Sequence, residues 1–189
     1  MLIEFGGFEA LAALLPEPLG SAEIRSRWIA SPAVTAFERG HIGPREFGER
    51  FVAEWPISLS AEDFVEAFRS WVLPLSDEAR ALVADLAGRR RIACLSNCNE
   101  LHWETLGPPV EEHFEHAFVS FQLGLAKPDR RIFEHMVSAL RVAPERILFF
   151  DDTDENVAAA RNLGIRSECV RGLEDLRARL RALGHLAGA

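Results

Sequence analysis

The chain has 189 residues, of which 48% are hydrophobic and 26% charged, and its formal net charge is −8. This length suits one domain with a sizeable core, and the negative charge argues against a nucleic-acid partner. We expect a soluble, cytoplasmic protein with no membrane partner, because the sequence has no apolar run of membrane-spanning length and no secretory leader. Cys94, Cys98 and Cys169 lack metal-site spacing, so we expect reduced thiols.

Residues 8–89 have the apolar periodicity of a layer of helices. Helix starts are predicted near Phe8, after Ser21, at Pro44 and after Ser60, and a further helix is expected over residues 76–88. The second of these helices carries Ile24, Trp28 and Ile29 on its apolar stripe. Such stripes are more simply explained by core packing than by a binding surface.

From residue 90 onward, strand and helix patterns alternate. Strands are predicted over residues 91–95, 117–121, 147–151 and 166–170, and helices over 99–106, 128–140, 154–163 and 173–183. This alternation predicts an α/β fold with a doubly wound parallel sheet.

Small polar residues follow the first of these strands. Ser96 and Asn97 stand where the strand ends and a helix is expected. A hydroxyl, an amide and backbone N–H groups at a helix start can bind an anion. Turns between strand and helix also carry Ser and Asn for local hydrogen bonds alone, so the two readings stay open.

Lys127 is the only lysine among the 21 basic residues of the chain. It directly precedes Pro128, which is expected to be the first residue of the next helix and to hold the lysine at the helix start. A solitary lysine suggests a specific role, although taken by itself it could be an ordinary solvated side chain.

Residues 147–150 form an unbroken apolar run, as in a parallel strand buried on both faces, and Asp151 and Asp152 follow it. Ligands of open α/β sheets bind at the carboxyl ends of strands, and adjacent carboxylates repel each other unless a cation such as Mg²⁺ neutralises them. The alternative is a capping turn, with Thr153 or Asp154 capping a helix that starts near Glu155. One cap would not require four consecutive polar residues, so the metal site is favoured.

The order of these three motifs, SNCNELHW, GLAKPDRRIFEH and FFDDTDENVAAARNLGI, resembles the haloacid dehalogenase-like hydrolase superfamily over roughly residues 90–170. The residues of these motifs are most similar to those of bacterial sugar-phosphate phosphatases of the α-D-glucose-1-phosphate phosphatase kind and of the amino-terminal phosphatase domain of some epoxide hydrolases. The resemblance implies a Rossmann-like core over residues 76–189 and an inserted helical cap over residues 8–75, with residues 1–7 following the first strand.

The resemblance also implies roles for individual residues. Ser96 and Asn97 would bind the phosphoryl group, Lys127 would be a catalytic residue that also binds the phosphate, and Asp151 with Asp152 would bind Mg²⁺. The implied reaction is hydrolysis of a small phosphate ester, such as a sugar phosphate, through an aspartyl-phosphate intermediate.

One family element is absent from the sequence. The nucleophilic aspartate of such enzymes ends a first strand, in a string such as FDLGGV, and this chain has no such string; its first aspartate is Asp63. Glu4 and Glu9 are rejected as substitutes because neither follows a buried strand. The chain as given is therefore expected to be inactive.

Two explanations compete: a start placed too late, or a true loss that leaves a non-catalytic relic. The first is favoured, because the other motifs are intact and a relic without its first strand would have an open seam in its core.

Three functions are therefore carried forward. The first is a Mg²⁺-dependent phosphatase, the second is a non-catalytic pseudoenzyme or binding module, and the third, ranked lower, is a haloacid dehalogenase. The sequence does not fix the substrate or decide between a monomer and a homodimer. Candidate substrate contacts are Trp28, His41, Arg45, His102 and Trp103.

Overall fold

The computed structural model describes residues 2–3 and 5–186, apart from the side chain of Pro109. Met1, Glu4 and residues 187–189 lie outside the described residues. The helices are α1 (Gly7–Leu14), α2 (Ser21–Ala30), α3 (Pro32–Glu38), α4 (Pro44–Glu54), α5 (Ala61–Arg69), α6 (Asp77–Ala87), α7 (Glu100–His113), α8 (Ser120–Leu123), α9 (Arg130–Leu140), α10 (Asp154–Arg161) and α11 (Gly172–Ala182). The strands are β1 (Ala93–Ser96), β2 (His116–Val119), β3 (Leu148–Asp151) and β4 (Arg166–Cys169). None of the helices among the described residues is long and apolar enough to span a membrane.

Helices α1 to α5 form the helical layer, and local sequence signals set several of their starts. Pro44 lies in the first turn of α4, where its missing N–H leaves no hydrogen bond unmade. At the start of α5, Ser60 accepts a hydrogen bond from the backbone N–H of Asp63.

The core of the helical layer is built from aromatic rings. Five of its phenylalanines are fully buried: Phe37, Phe47, Phe51, Phe64 and Phe68. The rings of Phe51 and Phe64 stack with centroids 4.3 Å apart. Ile29, which the sequence placed on the apolar stripe of α2, is instead 66% exposed. Trp28, one residue earlier, faces the aromatic core, and neighbouring helical residues point about 100° apart.

Strands β1 and β2 pair in parallel, as do β3 and β4. Among the described residues, no backbone ladder joins one pair to the other. Phe149 packs into the cluster formed with α9 and α10, whereas Phe150 packs into the cluster formed with α11. Strand β3 is therefore covered on both faces, as the apolar run predicted.

His102 connects the helical layer to the strand region. Its Nε2 lies 2.9 Å from the carbonyl oxygen of Phe68 in α5, and its Nδ1 lies 3.1 Å from Nδ2 of Asn99. Burial lowers the pKa of His102 to about 4. The neutral ring accepts a hydrogen bond from Asn99 and donates one to Phe68, and so ties the start of α7 to the end of α5.

The boundary predicted between a cap at 8–75 and a core at 76–189 stays a prediction.

The ends of helix α7 and strand β2 differ from the sequence prediction. Helix α7 continues past residue 106 to His113 through a Gly-Pro-Pro segment, because Leu106 and Val110 lie one turn apart and are both buried. The strand predicted over residues 117–121 ends at Val119, since Ser120 begins the short helix α8.

Pro128 is not the first residue of a helix, contrary to the sequence prediction. The Lys127–Pro128 peptide is cis, and α9 begins at Arg130. Asp129 caps this helix by accepting a hydrogen bond from the backbone N–H of Arg131. Lys127 is therefore held by contacts other than a helix start.

Candidate functional site

Asp151 is the last residue of β3 and is 5% exposed. Its Oδ2 lies 2.6 Å from Nζ of Lys127. Its Oδ1 accepts hydrogen bonds of 2.9 Å from the backbone N–H of Thr153 and from Nδ2 of Asn156. Three donors, one of them charged, compensate the burial of this carboxylate.

Lys127 links the carboxyl ends of β1 and β3. Its ammonium donates to the carbonyl oxygen of Leu95 in β1 at 2.9 Å and to Asp151 in β3. Its side chain is only 10% exposed. The lysine that the sequence singled out is thus largely buried and paired, and the reading as an ordinary solvated side chain is wrong.

Asn97 holds the backbone of Lys127. Its Oδ1 accepts the Lys127 N–H at 2.8 Å, and its Nδ2 donates to the Lys127 carbonyl oxygen at 2.9 Å. The side-chain amide therefore positions the backbone of the lysine, and the backbone N–H of Asn97 and the second N–H of its amide remain as groups that could bind an anion. The hydroxyl of Ser96 makes one long contact, 3.4 Å to the carbonyl oxygen of Asn97.

Asp152 lies beside this cluster at the wall of a cavity of about 500 Å³. All but one of the residues that line the cavity carry a charge or a hydroxyl group. The lining residues are Arg25, Asp152, Thr153, Asp154, Glu155, Arg171 and Gly172. The Thr153 side chain does not cap α10, so the capping alternative does not account for this turn.

The donor set at this cavity fits Mg²⁺. Carboxylate oxygens are its preferred ligands, and Mg²⁺ is commonly held by one or two carboxylates together with water and substrate phosphate. Among the described residues, no group of three or more His, Cys, Asp or Glu is arranged to enclose a metal ion. That finding is compatible with a magnesium site of this open kind, to which Asp152 would contribute. Asp151, whose oxygens already accept hydrogen bonds from Lys127, Thr153 and Asn156, stays a predicted second ligand.

The sequence analysis did not single out Asn156 or Glu38. Asn156 donates to Asp151, and its position in the first turn after the Asp-Asp pair was the available signal. For Glu38, at the end of α3, desolvation raises the pKa to about 7, while the charges of Lys127 and Arg39 lower it. The only sequence feature beside Glu38 is the Arg39-Gly40 pair that follows it and ends the helix.

The candidate substrate contacts lie in different surroundings. Trp28 packs in the aromatic core, His102 is buried in its hydrogen bonds, and Trp103 packs beside Val72 and Leu106. His41 and Arg45 are exposed. None of these five lines the cavity beside Asp152. Whether any of them contacts a substrate stays a prediction.

The three cysteines are free. Burial raises the pKa of Cys94 to about 11 and that of Cys98 to about 12. Both therefore remain thiols near neutral pH rather than reactive thiolates.

The haloacid dehalogenase-like hydrolase family matches residues 10–164 of the chain. A phosphoserine phosphatase from Thermus thermophilus is 31% identical over 83% of this chain and 68% of its own length. A D-ribitol-5-phosphate phosphatase from Bacteroides thetaiotaomicron is 22% identical over 88% of this chain and 89% of its own length.

Solved structures share the fold. A HAD family enzyme from Bacteroides thetaiotaomicron, in complex with magnesium and inorganic phosphate, has a TM-score of 0.75 and 23% identity and covers 95% of this chain and 94% of its own. A predicted HAD-like hydrolase from Porphyromonas gingivalis has a TM-score of 0.75 at 24% identity, covering 96% of this chain and 92% of its own. The predicted fold class is confirmed, and the chain belongs to the haloacid dehalogenase-like hydrolase family.

Proposed function

We propose that this chain is a Mg²⁺-dependent phosphatase of small phosphorylated metabolites, with sugar phosphates as the preferred substrates. The observation that carries the proposal is the placement of Lys127, whose ammonium joins the ends of β1 and β3 beside Ser96 and Asp152. A buried cation, a hydroxyl and a carboxylate at the carboxyl ends of parallel strands suit a phosphoryl group bound together with a divalent ion.

The chain's own residues would position and neutralise the phosphoryl group. Lys127 would balance part of the phosphate charge, while Asn97 and Asp151 keep that ammonium in place from the backbone and the side chain. Ser96 and the backbone N–H of Asn97 would donate hydrogen bonds to phosphoryl oxygens, whereas the N–H of Cys98 is already donated to Ser120. Mg²⁺ bound at Asp152 would supply further charge neutralisation.

The relatives support this choice of substrate class. They include enzymes named for phosphoserine and for D-ribitol 5-phosphate, which are both small phosphate esters. The structural neighbour with magnesium and inorganic phosphate supports the same choice of ion and anion. The negative charge of the chain as a whole leaves the attraction of an anionic substrate to this local cluster.

Turnover through an aspartyl-phosphate requires an aspartate that attacks phosphorus. The chain of 189 residues has no aspartate before Asp63, which lies exposed in the first turn of α5, hydrogen-bonded to Ser60. We therefore expect this polypeptide to bind phosphate esters with at most a trace of hydrolysis. A second candidate is a non-catalytic module that binds phosphate through this cluster, since Lys127, Ser96 and Asp152 could bind the anion without a reaction.

Calorimetric titration of the full chain with inorganic phosphate tests the shared part of both candidates. We expect binding that requires Mg²⁺ and that Asp152→Asn weakens at least tenfold, because one carboxylate of the metal site is lost. Glu66→Gln, an exposed change on α5, is the matched control and should leave binding unchanged.

A release assay with sugar phosphates then separates the two candidates. Steady release of phosphate that Lys127→Ala abolishes would support the enzyme and contradict the expected inactivity of this polypeptide. Binding without release would support the module. Absence of Mg²⁺-dependent phosphate binding would rule out both.

A further inference from the structure

The cavity beside Asp152 is lined by three segments that are distant in the sequence. Arg25 comes from α2, residues 152–155 come from the end of β3 and the start of α10, and Arg171 with Gly172 comes from the start of α11. The volume of about 500 Å³ is in the range of cavities that bind small metabolites. A phosphate ester held at Asp152 would therefore place its alcohol portion in the same cavity as the two arginines.

Arg25 faces this cavity because of its position on α2. Ile24 and Trp28, four residues apart, are buried in the aromatic core and fix which side of α2 faces inward. Arg25 follows Ile24, so its side chain leaves the helix about 100° further round. The arginine is accordingly exposed and lines the cavity.

The turn between β4 and α11 brings Arg171 to the same cavity. Gly172 has φ of +84°, a conformation that favours glycine, and a Cβ added there would meet no atom within 4 Å. The turn thus leaves open space beside Arg171. The backbone N–H of Arg171 donates to Oδ2 of Asp175 at 3.0 Å, which fixes the backbone, while the side chain is exposed.

Neither arginine is neutralised by a carboxylate among the described residues. Within that part of the chain, Arg25 makes no hydrogen bond or ion pair, and the guanidinium of Arg171 forms no ion pair. Arginines elsewhere do form such pairs, as Arg130 does with Glu134 at 2.7 Å. Two guanidinium groups on one cavity are therefore available to a ligand.

The acidic residues of the cavity have a local role that Arg171 lacks. Asp154 and Glu155 lie in the first turn of α10, where the helix dipole stabilises negative charge. Arg171 directly precedes the first residue of α11, where the same dipole disfavours a cation. The stability of the helix therefore does not account for an arginine at this position, whereas binding of an anion would.

The chemistry of the two arginines limits what the ligand group can be. A guanidinium group donates two parallel hydrogen bonds to a carboxylate or a phosphate. In the proposed function, the phosphoryl group that is hydrolysed is already bound by Lys127 and Ser96, with Mg²⁺ at Asp152. The arginines are left for a different anion on the same substrate molecule.

We propose that Arg25 and Arg171 form a subsite for a second anionic group, so that the site selects sugar phosphates that also carry a carboxylate or a second phosphate. This inference rests on the proposed function, because it needs a phosphoryl group bound at Lys127 and Asp152. It assigns substrate selection to one residue of α2 and one residue of the turn before α11.

Calorimetry on the full chain with excess Mg²⁺ tests the proposal with two matched pairs of ligands. 3-Phosphoglycerate has a carboxylate where glycerol 3-phosphate has an alcohol, and fructose 1,6-bisphosphate has a phosphate that fructose 6-phosphate lacks. In at least one pair, we expect the wild-type chain to bind the ligand with the second anion roughly tenfold more tightly. A preference in one pair alone would identify the recognised anion as a carboxylate or as a phosphate.

Substitutions of the arginines test whether they cause the preference. Arg25→Gln and Arg171→Gln should each remove most of it and the double variant all of it, while the binding of inorganic phosphate changes little. Arg25→Lys keeps the charge but loses the planar fork, so it should keep part of the preference. Arg89→Gln is the matched control, since it removes the same charge from an exposed pair with Asp85 outside the cavity. Circular dichroism of each variant checks that it is folded.

The outcomes distinguish this inference from the proposed function. If inorganic phosphate binds but the wild-type chain shows no preference in either pair, or the preference survives the double variant, the inference fails and the phosphate site stands. If the double variant weakens inorganic phosphate as much as the ligands with a second anion, the arginines act on the phosphoryl group and the inference again fails alone. If no phosphate compound binds the wild-type chain, both fail together.

Discussion

In the helical layer, the Phe51 ring stacks on Phe64 with centroids 4.3 Å apart, whereas at the strand ends the Lys127 ammonium lies 2.6 Å from an Asp151 oxygen. The aromatic contacts are non-directional and gain stability from the apolar area they bury. The polar contacts gain little net stability but fix the position and charge of each group. Stability and site geometry are thus carried by different parts of the molecule.

The largest effect is expected from opening the aromatic core. Phe51→Ala should lower the free energy of unfolding by about 4 kcal/mol, because it leaves a cavity between Phe64 and the stacked ring of Trp55. Urea denaturation measures the change. Phe51→Leu, which keeps more of the volume, should lose clearly less; equal losses would mean that the cluster can collapse around the cavity.

Breaking the polar pair should come next. Lys127→Ala should lower the free energy of unfolding by about 3 kcal/mol, because the buried Asp151 side chain loses its cationic partner. Adding Asp151→Asn should recover part of this loss in the same urea experiment. Arg45→Ala removes an exposed pair with Glu49 and is the control, with little change expected. A loss at Lys127 as small as that at Arg45 would contradict the buried pairing.

The smallest expected effect is a substitution that raises the free energy of unfolding instead of lowering it. Burial raises the pKa of Glu38 in the folded protein from its ordinary value of 4.5 to about 7, so the stability of the wild-type chain should fall as the pH rises through this window. Glu38→Gln cannot titrate and should exceed the wild-type stability at pH 8 by about 2 kcal/mol, but not at pH 4. Thermal unfolding at the two pH values measures the difference, and equal stability at pH 8 would show that the carboxyl is well solvated.

The sequence predicted best where the signal is local. Pro44 and Ser60 marked helix starts, and the apolar run before Asp151 marked a strand covered on both faces. The family resemblance grouped Lys127 with Asn97 and Asp151, and the structure brings these residues together. The individual contacts were not predictable, since Asn97 and Leu95 reach Lys127 across 30 and 32 residues of chain. Pro128 misled because a proline before a helical pattern is consistent with several turns, and here Asp129 caps the helix instead.

Glu38 was missed for a related reason. The end of α3 is placed by a contact between the Glu38 carbonyl oxygen and the hydroxyl of Ser120, which is 82 residues away in the chain. No pattern around Glu38 encodes that contact. Residues such as Trp28 and His102 were suggested as substrate contacts by their chemistry, yet the same aromatic character equally suits the core in which they lie.

The distribution of chromophores follows from the aromatic core. The chain has four tryptophans and no tyrosine. Trp28, Trp55 and Trp71 belong to the core of the helical layer, and Trp103 packs beside Val72 and Leu106. Tryptophan fluorescence therefore reports mainly on the helical layer, while the two strand pairs themselves contain no tryptophan. Comparing emission with far-ultraviolet dichroism during denaturation would reveal whether the two regions lose their structure in one transition or in two.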